Sequence, residues 1–145
     1  MYQRISKILI VMTVSFGLLA CVVAGSKLEQ QLMSEGATRL NPAQVTDHLS
    51  GNTQVWTTGG SGAYFLPDGT VYVKFEGRTY PLRTWTVDEN GKVCIAFPNG
   101  FVSSCSVYYY KDEIVWYVTL EIMGVAQEVD GGPDTIMVGN KLSDI

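Results

Sequence analysis

Cysteines carry the clearest chemistry in this chain of 145 residues. Cys94 and Cys105 flank Pro98-Asn99-Gly100, a strong turn signal, so two strands joined there would place both sulfur atoms on one face of a hairpin. A thioredoxin-like redox site needs the much shorter CxxC spacing, and zinc needs more ligands than two cysteines and one distant histidine. Because the N-terminus indicates export to an oxidising compartment, we expect a structural disulfide.

Catalytic side chains are sparse. His48, the only histidine, falls on a predicted short helix, where we interpret it as solvent-facing or helix-terminal rather than as a general base. Ser103 and Ser104 have no GxSxG context. The pairs Asp88-Glu89 and Asp112-Glu113 lie in predicted turns, where carboxylates are common. The sequence therefore predicts a protein that is not an enzyme.

Two loops resemble ligand-binding segments only superficially. Asp130–Asp134 offers oxygen ligands but lacks the EF-hand pattern for calcium. Gly59–Gly62 is rich in glycine, but no Lys-Ser/Thr pair or helix follows it, as a phosphate loop requires. We expect no metal and no cofactor.

Aromatic residues are the most suggestive feature. Alternation along a strand sends Tyr108 and Tyr110 to one face and Tyr109 to the other, so one face carries aromatic rings away from the core that Tyr109 joins. Trp116 and Tyr117 lie on the next predicted strand. Such rings fill cores and form cross-strand pairs, and they also line ligand cavities and partner surfaces. We predict ligand or partner contacts at Tyr108, Tyr110, Trp116 and Tyr117.

The N-terminus has the order of a secretory signal peptide, predicted over residues 1–20. Arg4 and Lys7 give a positive region, and the apolar run Ile8–Leu19 follows. The segment Leu18-Leu19-Ala20-Cys21, at the end of this run, resembles a bacterial lipobox. This resemblance implies that Cys21 is lipidated and anchors a lipoprotein to a membrane.

Two alternatives to lipidation stay open. Val22-x-Ala24 resembles a plain signal-peptidase site, with cleavage after Ala24. An uncleaved anchor over Ile8–Ala24 would be at the short limit for a membrane-spanning helix. If Cys21 is lipidated, Val22 stands where an inner-membrane retention signal often has Asp, which favours the outer membrane by resemblance to enterobacterial sorting.

Composition and charge exclude several classes of protein. The chain has 14 acidic and 10 basic residues, a net charge of −4, and it is 46% hydrophobic. A wholly disordered chain is excluded by the apolar content, and a nucleic-acid partner by the acidic balance. Loss of Arg4 and Lys7 with the signal peptide leaves 8 basic residues and a charge of −6. The length suits one domain.

A tether and one domain are expected after the signal peptide. Residues 21–39 read as a tether with few large apolar residues, in which Leu28, Leu32 and Met33 are spaced for one or two helical turns. Residues 40–145 read as a single β-barrel-like domain. A short helix is predicted over Pro42–Ser50, because Asn41 suits the N-cap and Gln44 completes a capping box.

The rest of the domain predicts about eight short antiparallel strands. Their expected ranges are Thr53–Thr57, Ala63–Leu66, Thr70–Phe75, Arg83–Val87, Lys92–Phe97, Ser103–Lys111, Ile114–Ile122 and Thr135–Val138. We expect a loop over Val125–Pro133. Tight turns between successive strands favour an all-β meander, barrel-like, with the one short helix at its N-terminus.

The order of these motifs resembles a family of small exported proteobacterial proteins that is described as a domain of unknown function. The likeness spans Leu40 to Asn140 and includes Leu49–Thr53, Phe65–Val71 and Trp85 before the Asn90-Gly91 turn. Because that family has no settled activity, the resemblance implies export, β-architecture and the disulfide, and no catalytic role.

Together these features predict a non-catalytic module of the cell envelope. We expect it in the periplasm, held at the outer membrane by its lipid anchor, where it binds a small apolar ligand or an envelope protein. The alternative is an acidic periplasmic inhibitor that is steered by charge to a basic enzyme.

Overall fold

The computed structural model describes residues 26–56 and 59–145, and for residues 81–82 and 127–130 it describes the backbone alone. The predicted signal peptide and Cys21 lie outside these residues. The described chain is an antiparallel sheet curled into a half-barrel with two helices, which confirms the all-β, barrel-like fold class. The helices are α1 (Lys27–Ser34) and α2 (Pro42–Leu49). The strands are β1 (Thr38–Arg39), β2 (Asn52–Val55), β3 (Gly62–Phe65), β4 (Thr70–Phe75), β5 (Arg78–Val87), β6 (Val93–Ala96), β7 (Val102–Lys111), β8 (Ile114–Ile122), β9 (Val125–Pro133) and β10 (Thr135–Val138).

The sheet is a meander whose two ends meet at one residue. Its strand order is β10-β2-β3-β4-β5-β6-β7-β8-β9, and β1 pairs with β7 beside this path. Asp134 alone separates β9, which pairs with β8, from β10, which pairs with β2. The Asp134 N–H donates to the carbonyl oxygen of Val115 on β8 over 2.8 Å. Asp134 therefore sits where the curled sheet comes together.

Local sequence signals account for α2. The Asn41 side chain accepts from the Gln44 N–H at 3.0 Å, and the Gln44 side chain accepts from the Asn41 N–H at 2.9 Å. Pro42 occupies the first turn, where its missing N–H costs nothing. Gly51 ends the helix with φ of 77°, a conformation that favours glycine. The predicted helix and its capping box are confirmed.

Each helix covers one face of the sheet, and we name the faces accordingly. The α2 face carries the larger apolar cluster: Leu40, Val45, Leu49, Ala63, Phe65, Val71, Val73, Trp85, Val93, Ile95, Tyr108 and Tyr117. The α1 face carries a smaller one: Leu32, Val107, Tyr109 and Val118. The alternation along β7 is thus as predicted, with Tyr108 and Tyr109 on opposite faces.

The chain between Ser26 and Arg39 is structured, where the sequence suggested a tether over residues 21–39 with one or two helical turns at Leu28, Leu32 and Met33; helix α1 contains these three residues. Ser26 caps α1 by accepting from the Glu29 N–H at 3.1 Å, and Leu32 is buried against the α1 face. Residues 21–25 are outside the described part. A helix of eight residues gives little periodic signal, so its stability depends on packing that the sequence does not display.

The disulfide is confirmed, and one loop prediction is wrong. Cys94 and Cys105 lie directly opposite each other on β6 and β7, with Cα atoms 4.1 Å apart, and form the bond. Val125–Pro133, predicted as a loop, is strand β9. Its polar and glycine-rich sequence has weak strand propensity, but pairing with β8 satisfies its backbone groups.

Candidate functional site

The four predicted contact residues do not form one surface. Tyr108 and Tyr117 face each other across β7 and β8 and are both buried in the core of the α2 face. Trp116 is partly buried against the cluster of the α1 face. Tyr110 is 47% exposed, beside the short strand β1. The aromatic run of β7 and β8 thus serves mainly to fill two cores, and Tyr110 is the member that solvent reaches most.

A buried polar network joins α2 to the meeting point of the sheet. The Asp134 side chain is 0% exposed, and its Oδ2 atom lies 2.8 Å from Nε2 of His48, which is 21% exposed. The Nε2 atom of Gln54 on β2 donates to Asp134 Oδ1 at 2.8 Å. His48 lies in the last turn of α2, so the predicted helix-terminal position is confirmed, but its side chain is partly buried and paired rather than solvent-facing.

Gln54 extends the network to two aromatic side chains. Its Nε2 atom donates to the Tyr108 hydroxyl at 3.1 Å, and its Oε1 atom accepts from Trp56 Nε1 at 3.2 Å. Burial of the Tyr108 phenol raises its pKa well above the usual value, and the nearby Asp134 carboxylate raises it further. The Gln54 hydrogen bond acts in the opposite direction on the pKa of Tyr108. This phenol therefore stays neutral as a hydrogen-bonding group.

This network connects separate elements of the fold, which is a structural role. Its described members are an imidazole, a carboxylate, an amide, a phenol and an indole, and they connect α2, β2, β7 and the β9–β10 junction. Polar groups inside a core specify a unique packing when all their hydrogen bonds are made, because loss of one partner leaves the other buried group without a hydrogen bond. Asp134, the last residue of the loop that the sequence analysis weighed and set aside as a calcium site, is committed to this network.

On the α2 face, the side chains become more exposed toward one end of three neighbouring strands. On β4, buried valines are followed by Phe75, which is 41% exposed; on β5, Trp85 is buried but Tyr80 is 37% exposed. On β6, Ile95 is buried and Phe97, just beyond the strand, is only partly buried. Strands β4 and β6 run in the same direction on either side of β5, and their C-terminal ends lie opposite Arg78 and Thr84. The core thus grades into an accessible aromatic region.

Register places a cation within this region. Arg83 pairs with Val71 and Tyr80 with Val73, and both valines belong to the α2-face core. The α2 helix begins near the other end of β5. The carbonyl oxygen of Leu40, just before α2, packs there against Gly91 in the β5–β6 turn. We call the open region the aromatic mouth and define it as Phe75, Tyr80, Arg83, Phe97 and Phe101.

Two aromatic rings lie beside the guanidinium of Arg83. Its guanidinium carbon lies 4.1 Å from the centre of the Phe97 ring and 5.6 Å from that of Tyr80. Its Nη1 atom donates to Ser103 Oγ at 3.0 Å. The Phe101 ring lies 6.3 Å from that of Phe97 and continues the mouth outward. Partial burial lowers the pKa of Arg83 from its usual value, and the Tyr80 phenol partly opposes that change in pKa. Arginine nevertheless keeps its charge.

The sequence did not identify the mouth. Phe97 and Phe101 flank the predicted Pro98-Asn99-Gly100 turn, so their placement at a strand end was a usable signal. The position of Arg83 depends on an irregularity in the β4–β5 register between Val71 and Val73, which alternation alone does not reveal.

Other described features give no second chemical centre. Within the described residues, no group of three or more His, Cys, Asp or Glu side chains is arranged to hold a metal ion. Neither of the two described helices is long and apolar enough to cross a membrane. An open cleft of about 580 Å³ lies against the C-terminal segment, where Lys74 donates to the carbonyl oxygens of Leu142 and Ile145.

No protein-family model, curated protein or solved structure matches this chain. The resemblance to the family of small exported proteins therefore stays a prediction.

Proposed function

We propose that the protein is a non-catalytic binding module of the cell envelope, and that a small apolar ligand binds in the aromatic mouth. The observation that carries the proposal is the gradient on the α2 face, from a closed core to the exposed rings of Phe75 and Tyr80. Small-molecule sites are lined mostly by apolar and aromatic side chains with a few polar groups that orient the ligand, and the mouth has this composition.

A binding role also agrees with the remaining chemistry. His48 is paired with Asp134 in the network that ties α2 to the sheet, so we assign this pair to the fold. The Cys94–Cys105 disulfide supports export, because such bonds persist in oxidising compartments. We place the protein in the periplasm with Cys21 as its lipid anchor at the outer membrane, as the N-terminal sequence indicates.

The test is the binding of a neutral apolar fluorophore, N-phenylnaphthylamine, to the purified protein. Its emission should rise on binding, and Tyr80→Ser should weaken its affinity about tenfold, because an aromatic contact of the mouth is removed. The matched control is Tyr110→Ser, another exposed tyrosine and one of the predicted contacts, which should leave binding unchanged.

Three results are informative. Loss of binding in Tyr80→Ser alone supports the mouth as the site. Loss in Tyr110→Ser alone would move the site to the end of β7 and overturn the assignment to the mouth. No binding by the unmodified protein would contradict the proposed function itself.

A further inference from the structure

We propose that Arg83 is an anion receptor and that the ligand of the aromatic mouth is an amphiphile with an anionic head, such as a long-chain carboxylate. This inference rests on the proposed function, since it names the class of ligand that the same site takes. The head would bind the guanidinium, and the apolar chain would lie against the surrounding rings.

The first support is the orientation that the rings impose. The Phe97 ring lies under the guanidinium at 4.1 Å, and the Tyr80 ring is also near, at 5.6 Å. Rings packed on the flat face of a guanidinium leave its edge available for hydrogen bonds. That edge presents five N–H donors in a planar fork, and the described acceptor, Ser103 Oγ, takes one of them. A carboxylate suits such a fork because it accepts two parallel bonds.

The second support is the absence of a neutralising partner in the described part of the chain. The ion pairs among described side chains involve Arg39, His48, Lys92, Lys111 and Lys141, and none includes Arg83. The chain as a whole is acidic, with a net charge of −4. The negative charge of the protein as a whole repels anions. A cation without an ion-pair partner in the described chain, placed among aromatic rings, is therefore a specific position for an anion to bind.

The third support is the polarity of the environment. Arg83 is partly buried, and the rings beside it exclude water from one side of its charge. Removal of water strengthens the attraction between opposite charges, so an anion here gains more than it would at an exposed arginine. Arg78, on the same strand, provides that comparison because it is exposed.

The experiment compares two molecules with the same chain and different heads, dodecanoate and dodecanol, as competitors of bound N-phenylnaphthylamine. Dodecanoate should bind about 10–100-fold more tightly than dodecanol, because charge-assisted hydrogen bonds contribute that much. In Arg83→Gln this preference should vanish, with dodecanol affinity retained. Arg78→Gln should keep the preference, and high salt should reduce it.

Equal affinity of the two competitors for the unmodified protein would overturn the role of Arg83 while leaving the proposed function intact, and it needs no variant. Retention of the preference in a folded Arg83→Gln protein would also overturn it. If the fluorophore itself does not bind, the proposed function fails and this inference fails with it.

Discussion

Tyr109 fixes α1 to the sheet through a polar contact inside an apolar cluster. Its side chain is buried on the α1 face, and its hydroxyl donates to the Glu29 carboxylate. Arg39 Nη1 lies 3.8 Å from Glu29 Oε1 and balances that charge. Burial of the phenol, followed by its hydrogen bond to Glu29, raises the pKa of Tyr109 well above the usual value. The neutral phenol is therefore the form that the fold requires.

This pKa shift predicts a loss of stability at alkaline pH. An unfolded tyrosine ionises near pH 10, so the contribution of Tyr109 is fully present below about pH 10. Above that value the unfolded state loses protons that the folded state keeps, and the free energy of unfolding falls as the pH rises toward the raised pKa of Tyr109. Tyr109→Phe should make the alkaline fall less steep, with the raised pKa of Tyr108 accounting for a remaining part, as measured by urea denaturation from pH 8 to about pH 11.

Tyr110→Phe is the matched control for that titration, because Tyr110 is the next residue and is exposed. It should leave the alkaline fall in stability as it is in the unmodified protein. Parallel curves for the unmodified protein and Tyr109→Phe would contradict the prediction.

At the scale of elements, the sequence predicted those strands that turn signals delimit. Strands β4 and β10 have the expected bounds, Thr70–Phe75 and Thr135–Val138, because glycine and proline turns precede or follow them. Strand β9 was missed because its strand character comes from pairing with β8. Its Gly131 packs under Leu28 and against Tyr117, so the residue that reads as a loop signal is needed for close contact with α1.

The candidate site was less predictable than the fold, for a related reason. The rings of the aromatic mouth come from β4, β5, the end of β6 and the residue before β7, and their shared face depends on how the strands align. The predicted rings on β7 and β8 were grouped because they are close in sequence. Proximity along two strands does not distinguish the core of a face from its open end.

The disulfide joins the two strands of the β6–β7 hairpin. Cys94 and Cys105 are separated by 11 positions and close a short loop around the turn. A cross-link of this loop length restricts the unfolded chain and contributes about 2–3 kcal/mol. The variant with both Cys94→Ala and Cys105→Ala should lose that amount of unfolding free energy in a denaturant titration.

The control for the double variant is the unmodified protein with its disulfide reduced. With the disulfide reduced, the unmodified protein should approach the stability of the double variant. A double variant as stable as the oxidised protein would show that the loop constraint is unimportant here.

At the scale of the whole molecule, the docking of α1 would limit how far the domain extends from the proposed lipid anchor. The first described residue is Ser26, five positions after Cys21. Five residues span at most about 18 Å when fully extended. If Cys21 carries acyl chains, the domain lies within that distance of the lipid headgroups, and not at the end of a tether that continues to residue 39.

With the proposed lipid on Cys21, membrane attachment would depend on one side chain. The remaining chain would carry a charge of −6 after removal of Arg4 and Lys7, so anionic lipids would repel it. Cys21→Ser should therefore move the protein from the membrane fraction to the soluble periplasmic fraction, as measured by fractionation and by the intact mass of each form. A Cys21→Ser protein that stays in the membrane would indicate the uncleaved anchor over Ile8–Ala24. An unmodified protein already free of the membrane, with a mass that begins at Gly25, would indicate cleavage after Ala24; either result contradicts lipidation at Cys21.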